Sequence, residues 1–368
     1  MRPLPPRSAA ILLALLGCAQ PVVQPKDSPP AETAAPETGR PETGQPAETG
    51  GGSGGSGGSD ETAGGDSHSP ETAQETGTGE TADSGDTGGA LPGWSSPCTT
   101  YADPYNTGVV ADSALDELSG IAVSRRDPDI LWVEEDHGGF AEIYALDTVG
   151  DTVVTVALDG ATNADWEDIA VGPCGDESCV YIGEIGNNDL DRTDMGVYVL
   201  PEPDLSTAVD GLITSTDWTY YSFDYPDVDE NAEALAVTAD GLPVVLTKHY
   251  EGEDSTVYVF PSLDPLAPVT LTAVGTVVTG PDGTGGAAAL TAADLWIDDS
   301  RLIFRTYGAI YEVDLSGGLA AITDAPSTLT PGAAELHGEA VAYDPWRGGF
   351  WQVAEGLNPM LWYTGCAS

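Results

Sequence analysis

Three short apolar segments recur in the same order five times along this 368-residue chain. The first of each set reads SGIAV (Ser119–Val123), EDIAV (Glu167–Val171), EALAV (Glu233–Val237), ADLWI (Ala293–Ile297) and EAVAY (Glu339–Tyr343). The second reads ILWVEED, VYIGEIG, PVVLTKH, LIFRTYG and FWQVAEG, and the third EIYALD, GVYVLP, TVYVFP, AIYEVD and MLWYTG. Turn sequences such as DPD, ADG, DDS and DPWRGG divide first from second segments. Units this small cannot bury an apolar face alone, so they must stack on one another. Helical periodicity is weak throughout, which makes the domain all-β.

Four sets are followed by another strand-like run, such as Thr152–Leu158 or Trp218–Phe223. The fifth has none, and an unassigned run, NTGVVAD, precedes the first set. The economical solution is a β-propeller of five four-stranded blades whose last blade is completed and closed by the N-terminal strand. First segments begin 48, 66, 60 and 46 residues apart, which leaves six blades as the alternative if one hides in a long spacing. The tryptophans, Trp132, Trp296 and Trp351 among them, are expected to pack between blades.

The chain opens with MRPLPPRSAAILLALLGC, a basic start followed by an apolar run too short to span a bilayer. LLGC resembles the lipobox of bacterial lipoproteins. The resemblance implies that residues 1–17 are a signal peptide and that Cys18 is acylated after cleavage. An ordinary secretory signal is the alternative. Ala19 lacks the Asp that often retains enteric lipoproteins at the inner membrane, so an outer-membrane lipoprotein facing periplasm or cell surface is expected. Residues 18–90 form an acidic Pro/Glu/Thr/Gly-rich tether, and from Gln24 to Ala90 no Val, Ile, Leu, Met, Phe, Tyr, Trp or Cys occurs. Such a segment cannot offset its ordering entropy and is read as intrinsically disordered, reaching roughly 45 Å.

Residues 91–368 form the propeller domain, with 47 Asp and Glu against 7 Lys and Arg. Like-charge repulsion argues against nucleic acid or anionic lipid as ligand, and the lipid anchor is then the sole membrane contact. A monomer with a protein, polymer or small-molecule ligand is expected. Four cysteines remain, Cys98, Cys174, Cys179 and Cys366, and spacing alone allows three pairings. The closed ring favours 98–366 with 174–179, and an oxidising compartment favours disulfides over a zinc site.

In an antiparallel hairpin the start of one strand lies beside the end of the next. Acids opening the first segments therefore share one face of the ring with residues closing the second segments. That face gathers Glu117, Asp136, His137, Glu184, Asn187, Lys248, His249, Arg305, His337 and Glu355 as binding candidates. Asp165, Glu167, Glu233 and Glu339 are the candidate metal ligands. Their oxygen chemistry points to calcium, with zinc or manganese left open by the histidines. No H-E-x-x-H, Walker loop or credible nucleophile elbow occurs, and Asp227–Asn231 lacks the glycine and closing Glu of an EF-hand.

ELSGIAV, LDGATNADWEDIAVGP, YIGEIGNN, ENAEALAV and HGEAVAY resemble a family of secreted bacterial propeller proteins. These sit near the phytase-like esterase and SdiA-regulated propeller groups, and the resemblance covers most of Asp116–Tyr363. It implies the propeller fold, and some phytase-like propellers bind calcium around the channel. Where those relatives often have GDIGDN, this chain has GEIGNN, which keeps oxygen ligands at Glu184 and Asn187. Two functions follow: a tethered calcium-dependent binding module, or a metal-assisted phosphoesterase or lactone hydrolase. The anchor is tested first. Cys18→Ser should move the protein from the membrane fraction to a soluble one, and a mutant that stays with membranes refutes lipid attachment.

Overall fold

The computed structural model describes residues 93–136, 138–250, 254–279 and 288–368. The signal, Cys18, the tether and His137 lie outside the described residues. Five small sheets account for the described strands, and together they form a five-bladed propeller.

Each blade follows the order read from the repeats. Blade 1 runs outward through Leu118–Val123, Ile130–Glu135, Glu142–Asp147 and Thr152–Leu158. Blade 2 uses Trp166–Cys174, Glu177–Glu184, Gly196–Pro201 and Thr219–Asp224. Blade 3 uses Ala232–Val237, Pro243–Thr247, Ser255–Val259 and Thr272–Val277. Blade 4 uses Leu290–Leu295, Arg301–Thr306, Ile310–Asp314 and Ser327–Thr330. Blade 5 uses Gly338–Tyr343, Phe350–Ala354 and Met360–Thr364, and the N-terminal strand Tyr105–Val109 pairs with the last of these to close the ring.

Two features differ from the repeat reading. The inner strand of blade 4 lies at Leu290–Leu295, not Ala293–Ile297. Its bulge sets Thr291 in the position that Glu167 holds in blade 2, so the repeat alignment was two residues late. A two-residue slip keeps every side chain on the same face, so alternation alone cannot detect it. Among the described residues the long spacings hold no sixth blade. Instead Leu212–Ser215 adds a parallel strand to the outer edge of blade 1, and Val269–Thr270 does the same for blade 2. Each insertion reaches back from its own blade and covers the edge of the preceding one, removing unpaired strand edges.

The apolar residues of facing sheets form one cluster at each blade interface. Trp132 and Trp166 pack between blades 1 and 2, Tyr181 and Tyr258 between 2 and 3, and Phe304 with Leu246 between 3 and 4. Trp296 and Phe350 lie between blades 4 and 5, and Trp351 with Leu131 between 5 and 1. Inner strands carry alanines, such as Ala122, Ala170, Ala236 and Ala342, where neighbouring sheets converge on the axis. Gly120 marks one such close approach, since a Cβ there would stand 2.6 Å from the Ile169 nitrogen of the next blade.

Cys98–Cys366 and Cys174–Cys179 are both disulfide-bonded, with Cα separations of 5.0 and 5.8 Å. The first reinforces the seam where N- and C-terminal strands meet, beside the Tyr101–Cys366 bridge. Breaking it with Cys98→Ser and Cys366→Ser together should cost about 2–4 kcal/mol, because strand pairing already limits the unfolded-state gain. Thermal denaturation should show Tm lowered by roughly 5–10 °C. An unchanged Tm would mean that strand pairing alone holds the seam.

Candidate cation site at the channel mouth

The inner strand of every blade contains one residue more than its partner, near its start. In blade 2, Trp166 pairs with Glu184 and Asp168 with Gly183, which leaves Glu167 as the extra residue. Glu233, Thr291 and Glu339 occupy the same place in blades 3, 4 and 5. In blade 1 the shift falls between Leu118 and Ile121, across Ser119 and Gly120. A β-bulge re-aims its side chain, and this explains why acids that suit strands poorly open these strands. Glu167, Glu233 and Glu339 are buried, and all three line the mouth.

Where the bulge residue is short it binds the neighbouring blade instead. Ser119 Oγ donates to the Glu167 carbonyl at 2.6 Å, and Thr291 Oγ1 donates to the Gly338 carbonyl at 2.9 Å. The inner strands are thus linked next to the site they frame.

The mouth is a cavity of about 170 Å³ lined by Glu117, Asp136, Glu167, Glu233, Lys248, Glu339 and Glu355, with Asn188, Tyr250 and Tyr307. Asp136, Asp165 and Glu167 bring one ligand oxygen each within 4.8 Å of one another. The trio thus joins two expected metal ligands with one residue expected only on the binding face. Glu167 has its pKa raised by burial and by the nearby Glu233, Asp136 and Asp165 carboxylates.

Loop hydrogen bonds place the trio. Asn163 Nδ2 donates to the carbonyls of Glu135 and Asp136 at 2.9 and 3.0 Å, and its Oδ1 accepts the Trp166 N–H at 3.2 Å. This one side chain ties the Asp136 segment of blade 1 to the Asp165 loop of blade 2. Glu184 accepts the N–H groups of Ala164 and Asp165 at 3.0 and 2.9 Å and binds Arg192 at 2.5 Å. Arg192 Nη1 also lies 3.8 Å from Asp165. A Cβ on Gly186 would come within 2.1 Å of a Glu167 oxygen and 2.4 Å of an Asp165 oxygen, so only glycine leaves room for both carboxylates.

The other expected residues are placed as follows. Glu233 is paired with Lys248, whose ammonium also donates to Tyr307 Oη at 2.8 Å. Burial opposes the Lys248 charge, yet Glu233 and Tyr307 together outweigh it and raise the ammonium pKa. Glu339 stands near Lys248 and Glu233, and burial pushes it up to about 8 against the pull of Lys248. Asn187 is buried behind the wall, where its Oδ1 accepts the N–H groups of Asp191 and Arg192, each at 3.0 Å. Arg305 is buried between blades and donates to the carbonyls of Ala340 and Val353 and to Glu335 at 3.0, 3.1 and 3.0 Å. His249 bonds Thr247 at 2.8 Å, and His337, with φ of 54°, sets its ring edge-on to Tyr307.

Asn163, Asn188, Arg192, Gly186 and Tyr250 were not singled out from the sequence. Tyr250 lies just past the second strand of blade 3, so the rule that second-strand ends share this face could have found it. Arg192 carried a signal in being the single basic residue of blade 2.

Below the mouth, buried Asp168 and half-buried Asp294 work on the backbone. Asp168 accepts the N–H of Ile169 at 2.9 Å, of Leu235 at 2.9 Å and of Ala293 at 3.4 Å, so one carboxyl connects blades 2, 3 and 4. Asp294 accepts the Tyr343 N–H at 2.9 Å and ties blade 4 to blade 5. Burial raises both pKa values, Asp294 to about 7.

No family model matches the chain, and no curated protein matches it. Among solved structures, one titled glucose dehydrogenase is 10% identical with a TM-score of 0.43, over 72% of this chain and 100% of that one. A second glucose dehydrogenase is 10% identical with a TM-score of 0.42, over 73% of this chain and 100% of that one. The apo soluble aldose sugar dehydrogenase of Escherichia coli is 10% identical with a TM-score of 0.39, over 72% and 99%. Likeness at this level carries no argument about activity, and the propeller assignment rests on the five sheets themselves.

Asp294 makes stability depend on pH in a defined direction. Its carboxyl titrates near 4 in an unfolded chain and at about 7 when folded. The stability it contributes is complete below about pH 4 and is lost as pH rises through about 7. Denaturant midpoints measured from about pH 5 to pH 8 should fall, and Asp294→Asn should flatten that slope. A slope that Asp294→Asn leaves intact would assign the effect to other carboxyls.

Proposed function

We propose that this protein is a lipid-anchored exported binding module whose channel mouth holds calcium and presents it to an exported polymer, protein or small molecule. The observation that carries this reading is the convergence of Asp136, Asp165 and Glu167 within 4.8 Å. Carboxylates so close repel one another, and a cation among them would relieve that repulsion. The donors are all oxygen, the chemistry calcium prefers, and Asn188 lines the same mouth as a further oxygen source. Both disulfides commit their cysteines elsewhere, which disfavours a thiolate metal site.

Lys248 is the strongest competitor for the metal's role, because it supplies positive charge within the mouth. Its ammonium, however, is engaged by Glu233 and Tyr307. One cation is thereby committed to the blade 3 carboxylate, and calcium would serve the Asp136, Asp165 and Glu167 group. The tether would let the loaded face search a distance of roughly 45 Å from the membrane.

A metal-assisted phosphoesterase or lactone hydrolase is the second reading, favoured by Glu339. A carboxyl with a pKa of about 8 beside a cation site can transfer protons near neutral pH. Turnover of phosphomonoesters, aryl esters or lactones that is lost in both Glu167→Gln and Glu339→Gln would replace the first reading with this one.

Calorimetry on chelator-stripped protein should detect calcium binding, and calcium at about 100 times Kd should add roughly 2.7 kcal/mol of stability. Glu167→Gln and Asp136→Asn should each weaken both effects while the apo Tm holds or rises, since each removes a repelling charge. Stripped protein that neither binds calcium nor gains stability overturns the cation site and leaves a metal-free binding face.

A further inference from the structure

The loops at the mouth end of the ring carry large apolar side chains that the core does not use. Phe140 and Leu357 lie between the second and third strands of blades 1 and 5, and Leu336 precedes the inner strand of blade 5. They are 82%, 75% and 88% exposed, so burial in the fold accounts for none of them. Apolar residues exposed singly are ordinary, but these three belong to adjacent blades and share one end of the ring. Val209 and Leu266, also strongly exposed, follow third strands and so lie toward the other end.

Backbone hydrogen bonds link these loops into one rim. The Glu355 N–H donates to the His337 carbonyl at 3.0 Å, which sets the Leu336 segment beside the turn that carries Leu357. The Gly356 N–H donates to the Asp116 carbonyl and the Asp136 N–H to the Glu117 carbonyl, each at 3.0 Å. Phe140 follows in the same loop as Asp136. Glu117 and Glu355 are therefore on the loops that present the three apolar residues. Both are exposed, and neither has an ion pair among the described residues. A rim already tied by backbone bonds has little ordering to undergo when something docks on it.

Charge selects what covers the rim. The domain has 47 Asp and Glu against 7 Lys and Arg, so a second copy or an anionic lipid surface would bring like charges together. The tether of this chain is acidic as well, and from Gln24 to Ala90 it has no Val, Ile, Leu, Met or aromatic residue to offer. A metal ion or a sugar hydroxyl would answer Glu117 and Glu355 but leave Phe140, Leu336 and Leu357 in water. Apolar residues beside uncompensated carboxylates match a surface that is itself both apolar and basic. Protein interfaces combine these features, with apolar contacts at the centre and charge pairs fixing orientation.

We propose that this rim docks a basic, apolar segment of a partner protein. Its apolar side chains cover Phe140, Leu336 and Leu357, and its Lys or Arg groups pair with Glu117 and Glu355. The inference names the partner class of the binding module and rests on that part of the proposed function, not on calcium. The carboxylates speed and orient the encounter, while the apolar contacts slow release.

A peptide series tests it on the full-length chain carrying Cys18→Ser, which removes the anchor from every arm. The probes are short helical peptides of one pattern, built from Leu and Lys, from Leu and Glu, or from Ser and Lys. At physiological salt with chelator present, the Leu–Lys peptide should saturate and the Leu–Glu peptide should not bind. The Ser–Lys peptide should bind at least about tenfold more weakly than Leu–Lys. Phe140→Ser, Leu336→Ser and Leu357→Ser together should cost a similar factor, and Glu117→Gln with Glu355→Gln should also flatten the salt dependence. All five positions are exposed, so Tm should hold in both variants. Val209→Ser with Leu266→Ser, and Asp103→Asn with Asp217→Asn, are the controls away from the rim and should change nothing. The proposal falls if the Leu–Lys peptide fails to saturate, if Ser–Lys binds equally well, or if control and rim variants weaken binding alike. Vesicles of phosphatidylcholine and phosphatidylglycerol should not bind, and rim-dependent vesicle binding would replace the protein partner with a membrane. Glu167→Gln should leave peptide binding unchanged, so failure of the calcium site and failure of the rim read out separately. Peptide binding that needs calcium or Glu167 overturns the rim and assigns the peptide to the channel mouth.

Discussion

A single extra residue near the start of each inner strand governs how this propeller meets its channel. A regular strand would send Glu167, Glu233 and Glu339 to alternate faces of a sheet packed on both sides, where a carboxylate has no solvent and no partner. The bulge removes that conflict by turning one side chain toward the axis while the next residues resume alternation. Packing between blades can then stay apolar up to the rim. The acids at strand starts, which look misplaced in a linear reading, are the residues the bulge is shaped to release.

The same geometry sets an electrostatic constraint. The domain has 47 acids and 7 Lys and Arg, and most acids face water where repulsion is screened. The buried ones are managed individually. Glu184 is compensated by Arg192 and two backbone donors, Glu233 by Lys248, and Glu335 by Arg305. Asp168 and Asp294 remain without a cation in contact. They collect backbone N–H groups and shift toward the neutral form, so they join blades at the expense of stability in alkali. Asp136, Asp165 and Glu167 are the group among the described residues whose carboxylate oxygens gather closely enough that they could share a cation.

Much of the ring was legible in sequence because its signals are local and repeated. Alternation located the strands, the spare N-terminal run located the closure, and closure in turn selected the Cys98–Cys366 pairing. The face carrying Glu117, Asp136, Lys248 and Glu355 followed from strand direction alone. Three things were not legible, for physical reasons. The register of blade 4 slipped by two because period-two patterns are unchanged by that shift. Leu212–Ser215 and Val269–Thr270 are too short to show a period and pair with strands from another repeat. The division of acids between cation site and internal pairing depends on distances across blades, which spacing in one strand does not encode.

The distribution of bulge residues around the ring carries the argument one step further. Blades 2, 3 and 5 place Glu there, while blades 1 and 4 place Ser119 and Thr291. Five glutamates at this radius would crowd five carboxylates around one narrow axis, with only Lys248 and Arg305 buried nearby to offset them. The two hydroxyl residues lower that charge and use the freed position to bond the next blade's backbone. They also break the symmetry. With Ser119 short, Asp136 from the second strand of blade 1 can approach Glu167 and Asp165, which a glutamate at position 119 would obstruct or repel. The fivefold repeat thus contains one place, at the junction of blades 1 and 2, where carboxylates gather closely enough that they could hold a cation.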